Sequence, residues 1–173
     1  MQEYIDRQSL VSLLWYAVVA IILLGLGGWL TYIGLGDWYY SLEFPPFQPP
    51  AWLFTPAWVI VLSCLTFSTW LVTGKANDNV AAVLLAVALY GGQCVLNAGW
   101  SLLFFTMQRP DVALWELATL DAVLLGMVWA YSRVSILAAL LLLPYAAWLF
   151  LSTAINWWIV MHNSFPIVSS GMM

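Results

Sequence analysis

Apolar residues gather along the chain into five long runs separated by short polar breaks. The runs cover Leu10–Tyr32, Leu53–Thr73, Val80–Met107, Val112–Tyr131 and Ile136–Met161. A helix needs about 20 mostly apolar residues to cross the hydrocarbon of a bilayer, and each run is long enough. The breaks after the second, third and fourth runs span only 74–79, 108–111 and 132–135, so consecutive helices are expected to be antiparallel neighbours. The predicted fold class is an all-α membrane protein, a five-transmembrane-helix bundle forming one domain over 1–173, with helices at about 10–32, 53–73, 80–107, 112–131 and 136–161. The first run is too long for a signal-peptide core and lacks a cleavage site, so it reads as a retained membrane helix.

Two runs carry a polar and aromatic stripe. In the third, Tyr90, Gln93, Asn97, Trp100 and Phe104 follow at steps of three, four, three and four, which places them on one helix face. In the fifth, Tyr145, Trp148, Ser152 and Asn156 follow at steps of three, four and four. Lipid cannot satisfy an amide, so both stripes should face protein or a cavity. Taken singly, such groups bond helix to helix, worth roughly 0.6–2 kcal/mol each.

The connection from Gly36 to Trp52 changes that balance. It holds Pro45, Pro46, Pro49 and Pro50 among six aromatic residues, counting Trp52, so it cannot be a regular helix. An interfacial anchor is one reading of it. A stiff cap over one mouth of the bundle is the other, because proline lowers the entropy lost on closing. Two aromatic stripes beneath a cap favour a pocket for a flat, mostly apolar ligand.

Composition narrows the class further. Mean hydropathy is +0.93 and only 7% of residues are charged, which excludes an ordinary soluble globule. No basic stripe exists for nucleic acid. Cys64 and Cys94 lie inside apolar runs without metal or redox spacing, so they read as small buried hydrophobes and no metal site is expected. Arg7, Lys75 and Arg133 would share one side against Arg109, which predicts a cytoplasmic N-terminus and an outer C-terminus. Eight of the twelve tryptophans fall near predicted helix ends, where an aromatic belt explains them; Trp52, Trp58, Trp100 and Trp148 lie on the cap side in polar company.

Three titratable groups stand out. Glu116, about one turn inside the fourth run, is expected to reach the interface. Asp121 is deeper, where a carboxylate costs about 2.5–3.5 kcal/mol, and is expected to be protonated or paired with a hydroxyl or amide on a neighbouring chain. His162 reads as an interfacial residue rather than an iron ligand. Ala88 and Gly92, spaced to let two helix backbones approach, form a candidate dimer interface on a face away from Asn97.

The chain resembles the tryptophan-rich sensory protein and translocator protein family (TspO/MBR, relatives of the peripheral-type benzodiazepine receptor). The matching residues are Trp38-Tyr39, Leu42 and Pro45; Pro49-Pro50, Trp52, Phe54, Pro56 and Trp58; Tyr90, Gln93, Asn97, Trp100 and Phe104-Phe105; and Pro144-Tyr145, Trp148 and Asn156. The resemblance implies a pocket under the first loop that binds porphyrin, haem or other apolar ligands, no obligatory cofactor, and a homodimer in membrane lipid. Together with the stripes it gives a ligand-binding set of Trp38, Phe47, Trp52, Trp58, Gln93, Asn97, Trp100, Phe104, Tyr145, Trp148 and Ser152. Departures from the family pattern are Phe44 in place of a basic residue, Leu62 in place of a tyrosine, and no basic residue over 156–161 to complete a sterol motif.

The function expected first is a tetrapyrrole receptor or translocator with a sensing role. A second reading is light-dependent porphyrin degradation with Trp58 and Trp148 as electron donors. A third is a packing subunit of a larger membrane complex, such as a pigment–protein assembly.

Overall fold

The computed structural model describes residues 2–75 and 80–165, with side chains from Leu10 onward. Helix α1 runs Gln2–Gly34, and a short α2 (Asp37–Tyr40) opens the long loop. A 3-10 turn at Ala51–Leu53 leads into α3 (Phe54–Thr73). Helix α4 (Val80–Ser101) finishes in a π-helical turn at Leu102–Thr106, followed by α5 (Pro110–Ser132), α6 (Ile136–Leu140) and α7 (Leu143–His162). Five of these stretches are long and apolar enough to cross a membrane, and the described residues hold no strand.

Helix α1 packs on α3 and α4, α3 on α7, and α7 on α5, which closes against α4. The order round the bundle is therefore α1, α3, α7, α5, α4. Short connections force α3–α4, α4–α5 and α5–α7 to run antiparallel, but α3 and α7 meet only through tertiary packing.

The half of the bundle towards Lys75 and Arg133 is a dry core. Leu65, Val72, Ala86, Leu120, Met127 and Leu142 are buried there. Its hydroxyls are spent on the protein, as lipid requires. Ser68 donates to the Ala138 carbonyl at 2.6 Å, and Thr69 shares a 2.9 Å hydrogen bond with the Tyr131 hydroxyl.

Three local features depart from the apolar pattern. The fifth run, expected as one helix over 136–161, is two: α6 stops at Leu140 and α7 restarts at Leu143 with Pro144 in its first turn. A proline has no N–H to give and its ring clashes with the preceding turn, so it is tolerated at a helix start and not inside one. Helix α1 reaches back to Gln2, because polar residues can continue a helix beyond the bilayer. The end of α4 widens into a π turn that contains the buried pair Phe104 and Phe105.

Gly34 makes that turn compatible with α1. A Cβ at position 34 would lie 2.5 Å from Phe105 Cβ and 2.7 Å from its carbonyl oxygen, so α1 closes on the π turn only with glycine there. Beyond the turn, Gln108 takes φ of 53° and Pro110 starts α5. Arg109 spans the Asp111 carboxylate with two bonds of 2.8 and 2.6 Å.

Candidate functional site

The loop between α1 and α3 folds over the opposite end of the bundle. Its prolines cannot sustain a helix, so it advances by single turns, closed by Gln48 N–H to the Pro45 carbonyl at 3.0 Å and Leu53 N–H to Pro50 at 2.9 Å. Asn163, just past α7, clamps it from both sides. Asn163 Oδ1 accepts from Glu43 N–H at 2.8 Å, and its Nδ2 donates to the Glu43 carbonyl at 3.1 Å. Rings complete the attachment: Trp38 edges onto Phe104, Tyr39 packs on Phe44 and Phe105, and Phe47 meets Trp158 edge-on. Burial holds the Tyr39 phenol above its ordinary value of 10.0, opposed by its hydrogen bond with Gln48.

Beneath the loop lies a cavity of about 50 Å³. Its roof is Tyr39, Phe44 and Gln48; its walls are Phe54 of α3, Trp100 of α4 and the π-turn residues Phe104 and Phe105; α7 contributes Ser152, Ile155, Asn156 and Ile159. Trp100 and Phe104 stack at 5.0 Å, giving one wall a flat aromatic surface. The space suits a water-sized guest, against the roughly 300–1,000 Å³ of a pocket that encloses a small organic molecule. A flat macrocycle enters only if the loop lifts.

The residues expected at this site divide into groups. Trp100, Phe104 and Ser152 line the cavity, and Trp38 backs Phe104. Trp58 and Trp148 sit deeper, packed with Tyr145 and with the cavity residue Phe54 at ring separations of 5.3 to 6.5 Å. Gln93 and Asn97 both bond the Tyr145 hydroxyl at 3.1 Å, and are not among the lining residues. Phe47 covers Trp158 from outside, and Trp52 is 71% exposed on the outer surface. Ala88 and Gly92 face outward on α4, with open space where a Gly92 side chain would stand.

The lining residues outside the expected set are Tyr39, Phe44, Gln48, Phe54, Phe105, Ile155, Asn156 and Ile159. Asn156 already belonged to the α7 stripe, and Ile155 and Ile159 extend the same face by one turn. Phe105 falls outside the stripe of three- and four-residue steps that runs through Phe104.

The amides do structural work here. Trp100 Nε1 donates to Asn156 Oδ1 at 3.2 Å, and Asn156 Nδ2 donates to the Pro110 carbonyl at 2.7 Å, joining α4, α5 and α7. What stays unpaired is different: Gln48 Oε1 in the roof and the indole N–H groups of Trp148 and Trp158. Both carboxyl oxygens of Glu116 are likewise enclosed without a partner, one of them beside Gly99 of α4, instead of reaching the interface. Asp121 accepts a hydrogen bond from the Thr153 hydroxyl of α7, within the same chain, at 3.0 Å. His162 stacks flat on Trp158 at 3.8 Å. Among the described residues no three His, Cys, Asp or Glu side chains converge. This site can grip a ligand by ring contact and one carboxamide oxygen, that of Gln48.

Comparison with known proteins settles the lineage. A model of the TspO/MBR family matches residues 15–161. The chain belongs to the TspO/MBR family. It is 34% identical over 153 residues to the tryptophan-rich protein TspO of Archaeoglobus fulgidus, a match covering 86% of this chain and 95% of that one. It is 37% identical over 132 residues to the protein of the same name in Chlorobaculum tepidum, covering 73% and 80%. The translocator protein of Sus scrofa is 31% identical over 154 residues, covering 86% and 91%. The five apolar helices make this TspO/MBR member an integral, multi-pass membrane protein.

Proposed function

We propose that the chain is a membrane receptor for flat, largely apolar ligands of the tetrapyrrole class, taken up beneath the proline-rich loop in a sensing or translocating role. The observation that carries this reading is the aromatic cavity under a cap that hangs on few bonds. Each neutral hydrogen bond of the Asn163 clamp is worth about 0.5–1.5 kcal/mol, so the roof can lift at a cost that ligand stacking repays. Once it lifts, the Trp100–Phe104 wall offers a π face, and the unpaired Gln48 Oε1 suits the pyrrole N–H groups of such a ring. The same reading has two copies pairing through the Ala88–Gly92 face, with the N-terminus cytoplasmic and the cap outside.

Titration of detergent-solubilised protein with protoporphyrin should quench tryptophan fluorescence saturably. Trp100→Ala and Phe54→Ala should each weaken the affinity about tenfold, the scale of one lost aromatic contact. Wild-type affinity in both variants would contradict the assignment.

A further inference from the structure

Midway along α5, at the depth where hydrocarbon is least tolerant of charge, Asp121 sits at the outer lip of the seam between α5 and α7. Thr153 Oγ1 donates to its Oδ2 at 3.0 Å, while Oδ1 takes no partner among the described residues and is not enclosed. The walls beside it are open: Ala118, Ala122 and Leu125 on α5, Phe150 and Trp157 on α7. Small residues flanking the acid leave room for another helix backbone to come close. Nothing in the cavity reading uses this group, which lies on the outer surface of the bundle.

We propose that this groove docks a transmembrane helix of a different membrane protein, one that carries a basic side chain at mid-bilayer depth. An acidic group in lipid is retained where a cation or strong donor answers it. The chain itself supplies none at that depth. Its four basic residues are Arg7, Lys75, Arg109 and Arg133, all at helix ends, and His162 closes α7. A second copy brings no basic side chain to that depth either, so charge complementarity selects a foreign helix.

The test uses the full chain in lipid vesicles with a dye-labelled, leucine- and alanine-rich spanning peptide bearing one central lysine, read by energy transfer. The lysine peptide should associate above an all-apolar version, and Asp121→Asn should lower that affinity about tenfold. Thr153→Val, which keeps the acid and removes its internal partner, should preserve binding. Equal association of the two peptides, insensitivity to Asp121→Asn, or loss with Thr153→Val would each overturn the proposal. So would energy transfer between two copies of the chain that disappears in Asp121→Asn, because it assigns the face to self-association.

Discussion

The two ends of the bundle follow different rules. Towards Lys75 and Arg133 the core is mostly aliphatic, Leu142 is buried at the break between α6 and α7, and Ser68, Thr69 and Tyr131 all have partners. Under the proline loop the backbone turns through 3-10 and π geometry, rings replace aliphatic side chains, and Gln48, Trp148 and Trp158 keep unpaired polar atoms. Departures from good packing and full hydrogen bonding concentrate where proteins do chemistry or bind. One end of this bundle holds the structure, and the other is left adaptable.

Truncation is expected to separate the two ends most clearly. Leu65→Ala in the dry core should cost about 2–5 kcal/mol, read as a fall in detergent melting temperature. Ile155→Ala beside the cavity should cost less, because its neighbourhood is already underfilled, and should increase porphyrin uptake. Equal costs would erase the distinction between the ends.

Gly34→Ala comes next. With no space before Phe105, α1 must move off the π turn, and overpacking of this kind costs about 1–3 kcal/mol. Hydrogen exchange should quicken over Leu102–Thr106 and leave α3 near Thr69 unchanged. Glu116→Gln is expected to raise the melting temperature modestly, since an enclosed carboxyl without a partner is replaced by a neutral group of the same shape.

The smallest effect is one of pH. Because burial raises the Tyr39 phenol in the folded protein, its contribution to cap stability is intact below about pH 10. It is lost as pH rises through the higher folded value. Exchange of the loop amides should accelerate there, and Tyr39→Phe should remove that alkaline step.

Much of this architecture was legible from residue pattern. Runs of apolar residues give the five spans, since a bilayer imposes its thickness on any helix that crosses it. The stripes through Asn97 and Trp148 rightly mark inward faces. Pattern could not decide what those faces do, because an amide that bonds a neighbouring helix and one that awaits a ligand look the same. Gln93 and Asn97 turn out to serve Tyr145. The π turn was also hidden, since Phe104 and Phe105 read as the end of a regular helix, and no residue pattern there marks the wider turn on which α1 closes through Gly34. Pro144 did signal the break in the fifth span, but the leucines around it masked the signal with continuous hydropathy.

Whether ligands enter beneath the cap can be measured directly. Cysteines at Glu43 and Asn163, in a chain with Cys64 and Cys94 replaced by alanine, would bolt the loop to α7 where the two residues already bond. The reduced protein should quench saturably with protoporphyrin, and oxidation should abolish binding reversibly. Undiminished binding to the oxidised form would contradict the account.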